Sequence, residues 1–197
     1  MKYYIITIMV CMRMLCFGQS TSTLMGARAA GMGYASAVLK DEAAIFNNPG
    51  AMAENISSTF FAYEVRPDMP GANRMAAGIQ LPFARGCSSF GVFRFGDDLY
   101  SEQLLSLGFS NQFGIASLGA KVSYIQYQAE GFGTQSALGL DFGGLAQLTP
   151  EISVGAYVIN LNQAEISPGE KLPTRLVAAI GFKLDDDFFI EIGRAHV

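Results

Sequence analysis

Histidine occurs once in the 197 residues, at His196, and cysteine three times. A Ser/His/Asp or Cys/His catalytic set needs an internal histidine held by its neighbours. One histidine at the extreme end of the chain supplies none, so we read the protein as not an enzyme. Cys11 and Cys16 fall in a leader-like stretch. That leaves Cys87, which rules out an internal disulfide and a thiol metal cluster. A lone cysteine near a strand start reads as a small buried hydrophobe. Charge is scarce as well: 15% of residues are Asp, Glu, Lys or Arg, against roughly 25% in ordinary soluble domains. The balance is acidic and lacks a basic stripe, so no nucleic acid partner is expected. No cofactor motif is present. After the first twenty residues no apolar run reaches the ~18 needed for a membrane helix, which excludes a helical membrane protein.

Half of the residues are hydrophobic all the same. Apolar composition without a long apolar run is what a transmembrane β-barrel produces, because lipid-facing and lumen-facing side chains alternate. The two ends frame this reading. MKYYIITIMVCMRMLCFGQS has Lys2, an apolar stretch from Tyr3 to Val10, and a small-x-small step at Cys16-Phe17-Gly18, as a secretory signal peptide over 1–18 does. Its removal takes Lys2 and Arg13 away and makes the mature chain more acidic than the formal −4 of the whole. At the other end, Ile192-Gly193-Arg194-Ala195-His196-Val197 is what ATC GGA AGA GCA CAC GTC encodes, the start of a common sequencing adapter. The expectation is an adapter tail over 192–197 on a natural protein that continues. A re-sequenced gene with a stop directly after Val197 would remove that hypothesis.

Between the ends, segments of about ten residues alternate with turn residues, the spacing of membrane strands. Strands are expected over 57–66, 74–81, 88–95, 103–111, 115–128, 134–148, 152–162, 174–184 and from 188 onward, forming a barrel region over 56–191. Leu105, Leu107 and Phe109 fall on one face, with Ser106, Gly108 and Ser110 on the other. Leu138, Leu140 and Phe142 likewise oppose Gly139, Asp141 and Gly143. A soluble sandwich carries Lys, Glu and Thr on its outer face. Here the second face is Gly, Ser and Ala, which suits a crowded lumen. Phe60, Phe61, Tyr63, Tyr124 and Tyr127 gather near strand ends, as interfacial girdles do. Arg28, Arg74, Arg94 and Arg175 are expected to face the lumen and pair with Asp41, Glu42 or Asp141, since charge in lipid is costly. Connections should be short at 113–114 and 149–150 and long over 163–173. Asp97-Asp98 and Asp185-Asp186-Asp187 read as solvated hairpin turns. An antiparallel transmembrane barrel of about nine visible strands, incomplete and carrying an N-terminal plug over 19–55, is the fold class this supports. A secreted soluble β-rich binding or adhesion protein is the alternative.

The segment GARAAGMGYASAVLKDEAAIFNNPGAMA, Gly26 to Ala53, breaks the strand pattern. Gly26-Ala27-Arg28-Ala29-Ala30-Gly31 begins like a phosphate loop, but Met32 and Gly33 stand where the Lys and the hydroxyl belong. Ser36 reads as the cap of a helix over 37–46 with Val38, Leu39, Ala43 and Phe46 on one stripe, stopped at Asn47-Asn48-Pro49-Gly50. Gly26, Gly31 and Gly33 allow close approach or positive φ.

The same residues carry a resemblance. Gly26, Ala27, Arg28, Gly31, Met32 and Gly33, then the acidic step Asp41-Glu42, then Asn48-Pro49-Gly50, resemble the N-terminal signature of FadL-like outer-membrane proteins, nearest to the PorV/PorQ group of Bacteroidetes. That group shows G-A-R-x-x-G-M-G-x-A and a terminal Asn-Pro-Ala-Gly. Here Gly50-Ala51 reverses the last pair, and Tyr34 stands where the group often has glycine. The resemblance implies an outer-membrane barrel whose N-terminal segment lies inside as a plug or hatch. It also implies outer-membrane lipid as surroundings and a role with type IX secretion components or with hydrophobic small molecules. A general porin-like barrel is the remaining option within the same fold.

Overall fold

In a computed structural model, residues 22–53, 57–69, 71–83, 86–167, 169–185 and 188–196 are described. The expected signal peptide and Val197, the last residue of the expected adapter tail, lie outside them. Helix α1 (Ala27–Gly31) and two 3-10 turns (Ala44–Phe46 and Pro49–Ala53) precede eleven strands. These are β1 (Ser58–Glu64), β2 (Arg74–Phe83), β3 (Gly86–Gly96), β4 (Tyr100–Phe113), β5 (Ala116–Ala129), β6 (Gly133–Gln147), β7 (Ile152–Ile159), β8 (Glu165–Ser167), β9 (Glu170–Lys171), β10 (Arg175–Lys183) and β11 (Phe189–His196).

The protein is all-β. Nine strands form one sheet in the order β1-β2-β3-β4-β5-β6-β7-β10-β11, and β8 and β9 pair only with each other. Every neighbouring pair in the large sheet is antiparallel. The sheet does not close: among the described residues, β1 and β11 each leave one edge bare. All nine expected strands of this sheet are present, with ends shifted by a few residues, because a period-two pattern survives whatever the tertiary context. The connection expected to be long over 163–173 holds the small β8–β9 hairpin. Ile192–His196 continue β11, opposite Leu176–Ile180 of β10.

Consecutive hairpins sort the connections by end. At one end lie the turns after β4 and β6 and the β10–β11 connection. At the other lie the β1–β2, β3–β4 and β5–β6 turns and the 160–174 excursion. The β4–β5 turn is two residues, Gly114-Ile115, with Gly114 at φ 63°. That is the left-handed backbone a tight hairpin requires and a glycine adopts without strain.

One expectation fails outright. Residues 37–46 are not a helix; only Ala44–Phe46 make a single 3-10 turn, and Ser36 donates its hydroxyl to the Tyr34 carbonyl rather than capping anything. Apart from Lys40–Glu42 the stretch is buried, and the backbone groups of Ala37 find partners elsewhere. Ala37 N–H donates to Glu191 Oε1 at 2.8 Å, and the Ala37 carbonyl accepts from Asn48 Nδ2 at 2.6 Å. A helix would have left the Ala37 N–H without a partner and given its carbonyl to Asp41; here side chains satisfy both, so propensity loses. The helix forms earlier instead, over the alanine-rich Ala27–Gly31, between Gly26 at φ 116° and Gly33 at φ 65°.

Candidate functional site

The two faces of the sheet are chemically opposite. On β4, Leu105, Leu107 and Phe109 are 44%, 62% and 44% exposed, whereas Ser106 and Ser110 between and beside them are fully buried. On β6, Leu138, Leu140 and Phe142 point out while Gly139, Asp141 and Gly143 are buried. The exposed face is therefore the apolar one, and the buried face is built from small and polar residues. Strand registers set a border to the apolar area: Arg94 lies opposite Gln103, Gln103 opposite Gln126, and Gln126 opposite Ser136. Four polar side chains thus form one row across β3 to β6 on the outer face. Arg94 belongs to that row and is exposed, so it does not face inward as expected. Phe60 and Tyr127 correct the girdle expectation in the other direction. Phe60 packs on Phe46 with ring centroids 5.8 Å apart, and Tyr127 is 8% exposed on the inner face. Phe61, Tyr63 and Tyr124 do point outward.

Residues 22–53 cover the inner face and touch all nine of its strands. Tyr34 Oη donates to Glu64 Oε2 of β1 at 2.8 Å. Gln80 of β2 donates to the Glu42 carbonyl at 3.0 Å, and Ser89 of β3 to Met52 Sδ at 3.0 Å. Ser117 Oγ of β5 donates to the Gly50 carbonyl at 2.7 Å, and Asn48 Nδ2 to the Gly144 carbonyl of β6 at 3.0 Å. A Cβ at Gly108 of β4 would stand 2.9 Å from Met52 Cε, one at Gly155 of β7 2.2 Å from the Ala37 carbonyl oxygen, and one at Gly181 of β10 2.7 Å from Val38 Cγ2. Glu191 of β11 takes the Ala37 N–H. Both bare-edged strands thus reach one short segment, so the sheet curls around it.

Glycine makes the closest seating possible. A Cβ at Gly119 would stand 2.1 Å from the Pro49 carbonyl oxygen, one at Gly143 2.1 Å from Asn48 Oδ1, and one at Gly50 2.6 Å from Gly144 Cα. No side chain larger than hydrogen fits between these backbones. Gly119 and Gly143 are also direct cross-strand partners, which gives a flat floor under Asn48-Pro49-Gly50. Asn48 is fully buried and spends its whole side chain there, Nδ2 on two carbonyls and Oδ1 accepting the Gly50 N–H at 2.9 Å.

The signature residues therefore separate into two groups. Asn48, Pro49 and Gly50 are seated on the sheet. Ala27, Arg28, Gly31 and Gly33 are exposed on or beside α1, and Gly26, Met32 and Asp41 are half-buried, with Glu42 exposed. Gly26 meets Ala43, whose Cβ would be 3.0 Å from a Cβ added there.

The charge pairing differs from the expected one. Arg74, 3% exposed, donates to Glu64 Oε2 and Tyr34 Oη, both at 2.9 Å, and to the carbonyls of Ser22 and Leu24. Its guanidinium also lies 5.4 Å from the Tyr34 ring centre and 5.7 Å from that of Phe93, within cation–π range. Asp141 pairs with Lys121, its direct cross-strand neighbour, at 2.9 Å, both buried. Neither arginine–carboxylate pairing expected for Arg74 or Asp141 forms, because β-register and the path of 22–53 place other partners nearer. Arg28 stays exposed and acts on Asp41 only through charge. Burial raises the Asp41 carboxyl above its ordinary value, against the Ala43 N–H it accepts and the attraction of Arg28. Burial together with the Glu64 carboxylate raises the Tyr34 hydroxyl, against the pull of Arg74. Glu64, Lys121, Tyr34 and Ser117 escaped sequence reasoning. Inward parity with Gly119 and Ser123 was the available signal for Lys121.

A cavity of about 80 Å³ lies on the inner face beyond this segment, lined among others by Thr23, Leu104, Lys121, Asp141, Leu172 and Arg175. Among the described residues no group of three or more His, Cys, Asp and Glu is placed to hold a metal ion. The chain matches no protein-family model, no curated protein and no solved structure.

Proposed function

We propose that the outer face of the sheet lies in lipid, and that the protein is a plugged β-barrel of an outer membrane, exported by its signal peptide. The reading rests on one observation: large apolar side chains occupy the exposed face, while glycine, serine and a buried ion pair occupy the covered one. In water this arrangement is inverted, since an exposed apolar patch above a few hundred Å² marks an interaction surface or an aggregation hazard. In hydrocarbon it is the stable one. The polar row supports the same reading. From Gln103 to Asn111 the strand takes eight steps, about 27 Å at ~3.4 Å per residue. At a tilt of ~40° that is roughly 20 Å of depth, near the ~25 Å apolar band of such barrels. Strands in hydrocarbon cannot leave edges unpaired, so β1 and β11 must each acquire a neighbour to close the wall.

For the role, the resemblance of Gly26–Gly50 to FadL-like and PorV-like proteins favours a non-enzymatic barrel serving type IX secretion or the passage of hydrophobic molecules. A filled inner face favours either of these over an open porin. Washing membranes with alkaline carbonate tests the placement: a barrel stays with the lipid, and a soluble binding or adhesion protein is released. Uptake of a fatty acid by liposomes, set against co-purification with secretion components, separates the two roles.

A further inference from the structure

The excursion between β7 and β10 does not extend outward from its end of the sheet. It folds back over the inner face, where Ala164 and Leu172 are buried against Tyr127 and Ala137. Among the described residues its strand pairing is internal, β8 with β9. Leu161, Asn162, Gln163, Glu165, Glu170 and Lys171 remain exposed. Its start is tied to β6, where Leu161 N–H donates to the Leu140 carbonyl at 2.7 Å and the Asn162 side chain takes the Leu140 N–H and donates to the Leu138 carbonyl. Beyond Asn162 the attachment converges on one residue. Asn160, 3% exposed and at φ 55°, donates its N–H to Asp141 Oδ1 at 2.8 Å and its Nδ2 to the Leu172 carbonyl at 2.8 Å. Its Oδ1 accepts the Ala164 N–H at 2.9 Å, and its carbonyl accepts the Thr174 hydroxyl at 2.9 Å. Asp141 in turn holds Lys121, so the anchor stands on an ion pair fixed in the sheet.

We propose that the two legs of this excursion beyond Asn162, 163–167 and 169–173, are a lid over the inner-face cavity, and that Asn160 is its latch. Beyond Asn162, a segment with two small buried contacts, an internal hairpin and one polar anchor to the wall opens at low free energy, whereas the nine-stranded sheet opens only with global unfolding. Both legs diverge from Asn160, so losing its side chain frees them together, while the Lys121–Asp141 pair stays behind in the wall. Opening would connect the cavity, and Ser123 on its floor, to the medium on the long-connection side. The inference does not rest on the membrane reading, because it concerns only the inner face and reads the same in detergent.

The test compares thiol exposure at two places in the full chain, with Cys11 and Cys16 replaced by serine. Ser123→Cys reports on the cavity, and the native Cys87, fully buried, reports on global opening. Asn160→Gly keeps the positive φ at no strain and deletes both side-chain hydrogen bonds to the legs. It should raise N-ethylmaleimide labelling of Ser123→Cys roughly tenfold and leave Cys87 unchanged. Thr174→Val removes a single hydroxyl bond and should give a smaller rise of the same kind. Unchanged labelling of Ser123→Cys in both variants would overturn the proposal. So would a parallel rise of both thiols in both variants, because the excursion would then belong to the cooperative core.

Discussion

Ser106 and Leu107 are consecutive residues of β4, and one is fully buried while the other is 62% exposed. Gly143 and Gly144 of β6 make the same contrast: a Cβ on the first would meet Asn48 Oδ1 at 2.1 Å, and a Cβ on the second the Leu118 side chain at 3.0 Å. Under Asn48-Pro49-Gly50 the inner face tolerates nothing larger than what is there, and the outer face carries bulk with nothing packed over it. The lesson is that size, not polarity alone, separates the faces. The inner face is specified by contact with residues 22–53, and the outer face, on the reading proposed above, by lipid.

The largest effect should come from Lys121→Met, which leaves Asp141 buried without its cation. Breaking one side of a buried pair costs about 3–5 kcal/mol, so the variant should unfold at markedly lower temperature or denaturant. Next is Leu107→Arg. In a bilayer it should destabilise by roughly 2–4 kcal/mol at mid-depth, whereas Gln103→Arg, in the polar row, should change little in the same folding titration. If both were equally harmless, the contrast between row and band would be broken. Gly143→Ala against Gly144→Ala sharpens the comparison at adjacent residues. The inner substitution should cost about 1–3 kcal/mol by overpacking and loosen 22–53 to protease, while the outer one is absorbed by rotation of Leu118.

The smallest effect concerns Asp41. Its raised carboxyl binds a proton more readily in the folded chain than in the unfolded one, whose ordinary value is 3.8. The stability it contributes is therefore fully present below that value and is lost as pH rises through the raised one. Asp41→Asn keeps an oxygen for the Ala43 N–H and removes this loss. The variant should melt slightly higher than the parent at neutral pH and no higher in acid.

Strand positions were legible because alternation is local: Leu105-Ser106-Leu107 declares both strand and face without any partner. The path of 22–53 was not. Ser36 and the following apolar stripe satisfy every local rule for a helix, yet Glu191 and Asn48, distant in sequence, claim the backbone of Ala37. Ion pairs failed for the same reason. Lys121 meets Asp141 only once the β5–β6 register exists, and Arg74 meets Glu64 across the β1–β2 hairpin. Phe60 and Tyr127 were misplaced by attention to strand ends alone; each has the opposite parity to an outward neighbour, Phe61 and Tyr124, so alternation along the strand would have corrected both. Glycine in the signature was legible as permissive, but which glycines face a backbone required the sheet beneath them.

The most direct measurement places a fluorophore on Leu107→Cys or on Ser106→Cys, one residue apart, in vesicles whose lipids carry brominated chains. Strong quenching by the chains at Leu107→Cys, with little at Ser106→Cys, is the predicted result. Equal weak quenching at both, with dissolved iodide reaching Leu107→Cys instead, would contradict the assignment of the apolar face to lipid.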